Sequence, residues 1–389
     1  MHSFTYCVPT QIVFGGESVE KLPELLKERN ITRVLVVCGG HSAKRSGLLD
    51  RVEGLLKAAE VKFDVLSGVQ PNPRLSLARE GVKRALALSA QLILAVGGGS
   101  VLDCSKAIAA GAKYEGETWD LISGKVLAQD ALPMVDILTL AATGSEYDCG
   151  GVISRTETND KIGYMDPHLF PQASILDPTY TFTVPKKQTA AGCADAINHI
   201  MEQYFCEESS LLNDGMMEAA FKSLMVNGRK CIENPEDYTA RAEMMLDCTL
   251  ACNGIFSLGN SRSLWPCHGL EHALSAYYDI THGEGLAIIT PRWMKHILND
   301  HTVDRLAKYG VNVFGLDAAQ DRYDIANQAI QATYDFFASL GIPMHLREVG
   351  IDDSRIDEMA HHVAELEGLD EAWAPLREAD IAAIFRASL

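Results

Sequence analysis

Residues 92–110 read LILAVGGGSVLDCSKAIAA, and the order of apolar run, glycines and helical run in this stretch decides the fold. The run at 92–96 has no polar alternation, which predicts a strand covered on both faces. Gly97, Gly98, Gly99 and Ser100 follow, and a helical pattern begins at Val101. A strand leading through glycines into a helix N-terminus makes an anion site: glycines admit a phosphate close to the backbone, and the first helical amides point at it. The spacing fits neither G-x-G-x-x-G nor the Walker pattern, so a plain tight connection is the other reading of these residues.

Working outward, RVLVVC at 33–38, KFDVL at 62–66, DILTL at 136–140 and SIL at 174–176 are further strand-like runs. Helical patterns at 18–29, 47–59 and 75–89 separate them. This alternation predicts an α/β domain over residues 1–185, a Rossmann-like parallel sheet suited to a dinucleotide. After Pro185 the pattern changes to long stretches of 3.6 periodicity at 189–205, 216–233, 238–258, 268–278 and 321–340. Residues 186–389 are therefore expected to form an all-helical domain.

Bulk properties exclude several classes. The 389 residues, 47% of them hydrophobic, are too many for one core. With 34 basic against 52 acidic residues the formal charge is −18, which argues against a nucleic-acid partner. No apolar run is long enough to cross a bilayer. The opening MHSFTYCVPTQIVF lacks a basic region ahead of an apolar stretch and does not read as a signal peptide. Ten cysteines without a C-x-x-C pair point to reduced thiols and a cytoplasmic protein.

Two loops extend the anion site. The segment TLAATGSE at 139–146 closes a strand with the hydroxyls of Thr139 and Thr143, which can bond a phosphate or a carboxamide at the sheet's C-terminal edge. The same residues also read as a helix cap, and both readings can hold. The strand at 33–38 ends in Gly39, Gly40, His41 and Ser42, followed by Lys44 and Arg45. An acidic residue there would bond a ribose 2′-hydroxyl. None is present, which favours NADP(H) while leaving NAD(H) possible.

In the second half, His268, His272 and His282 fall within fifteen residues, and Asp195 and His199 stand four apart on one predicted helix face. One carboxylate with imidazoles from separate segments makes a divalent-metal site with N/O ligands, a set that accepts Fe²⁺, Zn²⁺, Co²⁺ or Mn²⁺. Each spaced pair also reads as an ordinary i,i+4 contact. The apolar neighbours Leu270, Ala273, Leu274 and Ala276 set the histidine cluster apart from a solvated face.

Taken together, VPTQIVFGGES at 8–18, PNP at 71–73, GGGSVLDCSK at 97–106, ATGSE at 142–146, ILDPTYTFTVP at 175–185 and the 268–282 block resemble the iron-containing (group III) alcohol dehydrogenases, most closely their butanol dehydrogenase branch. The resemblance implies that Asp195, His199, His268 and His282 hold the metal and that His272 lies beside the nicotinamide. It also implies the pyrophosphate on Gly98, Gly99 and Ser100 with Asp103 nearby, the nicotinamide end by Thr139 and Thr143, and Lys161 near the nicotinamide ribose. An exposed loop lysine is the other reading of Lys161. Two departures from the family pattern stand out: Thr281 replaces a proline before His282, and Ala142 replaces a frequent glycine.

The expected activity is hydride transfer between a nicotinamide dinucleotide and a small alcohol or aldehyde, by a homodimer or larger homo-oligomer. The rival readings are a zinc-dependent dehydroquinate-synthase-like cyclase on the same fold, a metal hydrolase without dinucleotide, and a silent metal-binding protein. The apolar setting of the histidines, with Trp265 and Tyr277, argues against the cyclase's anionic substrate.

Overall fold

A computed structural model describes residues 1–389. The first part of the chain contains strands β1 (Gln11–Phe14), β2 (Arg33–Gly39), β3 (Lys62–Val69), β4 (Leu92–Gly97), β5 (Met134–Leu138), β6 (Gly150–Arg155), β7 (Asp160–Met165) and β8 (Ala173–Leu176). Its helices are α1 (Leu22–Glu28), α2 (Ser42–Arg45), α3 (Leu48–Ala58), α4 (Leu75–Leu88), α5 (Gly99–Gly111) and α6 (Thr118–Ile122). Then come α7 (Lys186–Tyr204), α8 (Leu211–Glu233), α9 (Tyr238–Ala251), α10 (Pro266–Tyr278), α11 (His282–His296), α12 (Val303–Phe314), α13 (Arg322–Ser339), α14 (Ile356–Leu366) and α15 (Glu378–Ala387).

Six strands form a parallel sheet in the order β1-β8-β5-β4-β2-β3. Every residue of β4 is buried, as a run without polar alternation requires. Leu92, Leu94 and Val96 pack with Val34, Val36, Val135, Ile137 and Ile175 in one core cluster. Each such side chain contributes about 1.5–3 kcal/mol by leaving water. From β2 the chain crosses to β3 on one side, then returns to β4 on the other. The β2–β4 boundary is therefore a topological switch point, where open α/β sheets bind ligands outside the strand C-termini.

The chain divides into two compact units, and the division is not the simple cut expected near residue 185. One unit comprises Cys7–Val184 with Pro235–Asn253, and the other Met1–Tyr6, Pro185–Asn234 and Gly254–Leu389. Helix α9, expected in the second half, joins the first unit for a chemical reason. Thr249 Oγ1 donates to Glu146 Oε1 at 2.6 Å, so a carboxylate in the first unit obtains its partner from α9. The helical stretch expected to run to 258 stops at Ala251, and Gly254 with φ 85° opens a separate turn at Ile255–Ser257.

Other differences are local. The β6–β7 antiparallel hairpin and the short β1 were not expected. The strand expected at 136–140 sits at Met134–Leu138, because the Thr139 amide bonds the Gly97 carbonyl and the chain then leaves the sheet. No helix is long and apolar enough to cross a membrane.

Candidate metal centre and dinucleotide cradle

In the helical unit, α7 carries Asp195 and His199 one turn apart, both buried. Helix α10 carries His268 and His272, and His282 is the first residue of α11. The start of α11 lies tight against α7. A Cβ on Gly283 would stand 2.0 Å from the Ala191 carbonyl oxygen, so only glycine permits this approach. Close packing at that point brings His282 to Asp195.

Asp195 Oδ1 lies 3.3 Å from His199 Nε2, 3.7 Å from His268 Nε2 and 3.6 Å from His282 Nε2. Ligands held about 2.1 Å from one tetrahedral ion would stand about 3.4 Å from each other. Candidate ligand atoms of Asp195, His268 and His282 all fall within 4.8 Å of one another. Asp195 Oδ1 and His268 Nε2 are buried without a hydrogen-bond partner. Orphaned buried acceptors converging on one point fit a cation, and the N/O set suits a first-row divalent ion.

Burial and the neighbouring charges act differently on the three groups. Burial pushes the Asp195 carboxyl up, but His199, His282 and His268 outweigh it and hold the group well below the carboxylate range. Burial drives His199 down to about 3 against the pull of Asp195, so it is neutral and ligand-ready. His268 is pushed down by burial too, yet Glu202 and Asp195 reverse this and raise it to about 10. His272 stands apart from the convergence: its ring centroid is 6.3 Å from that of His268 and 5.9 Å from that of His282, and its Nδ1 faces Glu367 Oε1 at 3.5 Å.

In the sheet unit, Gly98 caps α5 and the helix opens at Gly99. A Cβ on Gly99 would lie 2.4 Å from Thr143 Oγ1, which shows how closely the 139–146 loop covers the helix start. Register pairs Cys38 with Val96 and Gly97 with Leu138. The loops carrying Gly39, Gly40 and Ser42, then Gly97 to Ser100, then Thr139 and Thr143, thus leave the same end of three adjacent strands. Ser42, Lys44 and Arg45 are exposed there.

Asp103, in the first turns of α5, is bonded within the protein. Its oxygens accept from Ser145 Oγ at 2.8 Å and the Val152 amide at 3.0 Å, and burial raises it to about 6. Lys161 is no exposed loop lysine, because it is buried in β7 opposite Ser154.

Known proteins match this arrangement over the whole chain. The model of iron-containing alcohol dehydrogenases covers residues 9–178, and that of the family's C-terminal part covers 189–389. The chain belongs to the iron-containing alcohol dehydrogenase family. It is 46% identical to the NADH-dependent butanol dehydrogenase A of Clostridium acetobutylicum, over 100% of both chains. It is 36% identical to the NADPH-dependent aldehyde reductase YqhD of Escherichia coli, over 94% of each. The crystal structure of a Thermotoga maritima NADH-dependent butanol dehydrogenase A superposes with a TM-score of 0.96 at 37% identity, covering 100% of this chain and 99% of that one. As a member of the iron-containing alcohol dehydrogenases, the chain is an oxidoreductase of the alcohol dehydrogenase and aldehyde reductase kind.

Three site residues of this family member escaped the sequence reading. Glu202 and Glu271, both fully buried, bond His268 Nδ1 and His282 Nδ1. A signal existed for each: Glu202 lies seven residues after Asp195 on the same helical face, and Glu271 interrupts the apolar face of α10. Lys106, fully buried, donates to Ser145 O, Ser145 Oγ, Asp148 O, Asp148 Oδ1 and Gly150 O at 2.6–3.1 Å. It ties the loop after Thr143 to α5, a role its position within GGGSVLDCSK did not disclose.

Proposed function

We propose that this chain is a metal-dependent NAD(P)(H) alcohol dehydrogenase and aldehyde reductase for small primary alcohols and aldehydes of the butanol–butyraldehyde type. The observation that carries the reading is the convergence of His199, His268 and His282 Nε2 on the unpartnered Asp195 Oδ1. Asp195, His199, His268 and His282 would hold one divalent ion, Fe²⁺ by family and Zn²⁺ by ligand affinity. When bound, that ion supplies Lewis-acid polarisation of an alcohol or aldehyde oxygen.

The protein's own groups do the rest. Trp265, in the left-handed region at φ 53°, packs edge to face with both rings, its centroid 5.2 Å from that of His268 and 5.7 Å from that of His199, giving the site an apolar wall. His272, its Nδ1 3.5 Å from Glu367 Oε1, is the group that passes a proton toward solvent. Gly97, Gly98, Gly99 and Ser100 seat the pyrophosphate at the start of α5, with Thr139, Thr143 and Lys161 toward the nicotinamide. Asp103 acts from behind, through Ser145 and Val152.

Exposed Ser42, Lys44 and Arg45, with no acidic side chain at the end of β2, favour NADP(H), with NAD(H) as the second cofactor. Both cofactors occur among the relatives' names. Ten free thiols suit a cytoplasmic location, and the working form is a homodimer or larger.

The test is steady-state oxidation of NADPH and NADH with butyraldehyde, after anaerobic reconstitution with Fe²⁺ or Zn²⁺. Metal-dependent turnover with a higher kcat/KM for NADPH is expected. Silence with every metal, cofactor and aldehyde overturns the assignment, and a higher kcat/KM for NADH overturns the cofactor preference alone. His272→Ala is expected to lower kcat and alter its pH profile, and an unchanged profile removes the proton role.

A further inference from the structure

We propose that Glu202 and Glu271 are positioning residues for the metal, each fixing one histidine through Nδ1 so that its Nε2 faces Asp195, and that His199 is the loosely held member of the set. This rests on the metal-centre reading above. The side chains of Glu202 and Glu271 have no exposed surface. A buried carboxylate is costly unless its oxygens are satisfied.

Glu202 meets that need in two ways. One oxygen accepts from the Cys267 amide at 2.5 Å and the His268 amide at 3.3 Å, and the other bonds His268 Nδ1. A single carboxylate thus fixes both the main chain at the start of α10 and the ring it carries. Glu271 bonds His282 Nδ1 with one oxygen and Ser275 Oγ with the other, while Ser275 Oγ also reaches the Ile280 carbonyl at 3.3 Å. That set spans the turn between α10 and α11.

An imidazole that donates Nδ1–H to a carboxylate carries its lone pair on Nε2, in a fixed ring orientation and with raised basicity. His199 has no such support. Its Nδ1 is buried without a hydrogen-bond partner, and its ring is held by stacking on His268 at 4.8 Å and 14°. The three imidazoles therefore differ in how firmly they are aimed.

The experiment strips the purified protein with a chelator, returns Co²⁺, and measures affinity by chelator competition while following the visible Co²⁺ absorption. Glu202→Gln and Glu271→Gln keep an oxygen for the Cys267 and His268 amides or for Ser275, yet turn an amide NH₂ toward Nδ1. That arrangement forces the ring proton onto Nε2, where a ligand lone pair is needed.

Each Gln variant is expected to weaken Co²⁺ binding by about 10- to 100-fold and to shift the Co²⁺ spectrum, with the melting temperature of the metal-free protein unchanged. His199→Ala is expected to weaken it less than His268→Ala or His282→Ala. Wild-type Co²⁺ affinity in both Gln variants, or His199→Ala as damaging as His268→Ala, overturns the inference. A wild-type protein that takes up no Co²⁺, Zn²⁺ or Fe²⁺ removes the metal-centre reading itself, and this inference with it.

Discussion

The cradle at the start of α5 and the cluster around Asp195 are built from opposite materials. The cradle is main chain: glycines whose missing Cβ atoms let Val101, Leu140 and Thr143 pack directly against Gly97, Gly98 and Gly99. The cluster is side chain, with three Nε2 atoms from three helices held around one carboxylate oxygen, two of them aimed by buried glutamates. A main-chain site needs only a short stretch of sequence and fails when atoms are added. A side-chain site needs distant helices in register and fails when a charge or a lone pair is removed.

The largest expected break lies in the cluster. Asp195→Asn removes the anion on which the imidazoles converge, and aldehyde reduction should fall by about a thousandfold in kcat/KM, ~4 kcal/mol. Metal content, measured by mass spectrometry, should fall with it, while NADPH binding by fluorescence stays intact.

Next is the support behind the cradle. Lys106→Met leaves Asp148 Oδ1 and the Ser145, Asp148 and Gly150 carbonyls without their buried donor. A loss of about 3–5 kcal/mol in urea unfolding is expected from stranding such a charge.

Two glycine substitutions then separate the two sites. Gly99→Ala drives a Cβ into Thr143 and should weaken NADPH binding about tenfold, ~1.4 kcal/mol, with metal content unchanged. Gly283→Ala meets main chain at Ala191, so it should destabilise the protein by about 1–3 kcal/mol and lower metal content, with NADPH binding retained. Loss of both ligands in either variant would erase the distinction between the sites.

The smallest effect is in pH dependence, where carboxylates in the two units have opposite signs. Burial pushes Asp214 up, but bonds from Arg305 and Lys308 outweigh it and hold it at about 2. A depressed acid stabilises the fold above its ordinary value near 3.8, and that contribution is lost as pH falls toward 2. Burial raises Glu146 to about 7 against its Thr249 bond. A raised acid favours the fold below its ordinary value near 4.5, an advantage lost as pH rises through about 7. Glu146→Gln keeps the Thr249 acceptor and should raise the melting temperature at pH 8 with little change at pH 4. An equal shift at both values would show that Glu146 is not the group responsible.

Much of this was legible in the chain. The runs at 33–38, 62–66 and 92–96 fall within observed strands; those at 33–38 and 92–96 lie inside the sheet, where burial on both faces leaves a nearly unbroken apolar signature, whereas 62–66 belongs to the edge strand and only Leu66 of it is buried. The spacing of Asp195 with His199 marked a shared helix face, and the apolar neighbours of His268 marked a buried one. The membership of α9 in the sheet unit was not legible, since its helical periodicity is the same whichever partner it packs against. Nor were Glu202 and Glu271 as partners of particular rings, because a buried glutamate on a helix looks like any other until the opposing element is placed.

By itself the sequence determined what local chemistry fixes: an apolar strand feeding glycines into a helix, hydroxyls and cations at neighbouring strand ends, and a carboxylate with histidines on helical faces. Only the tertiary structure decided which nitrogen of each imidazole faces Asp195, that Asp103 turns to Ser145 and Val152, and that Lys106 ties the covering loop to α5. Local patterns restrict backbone geometry over a few residues. The aim of a side chain is set by atoms from elements tens of residues away, and those contacts exist only once the helices are packed.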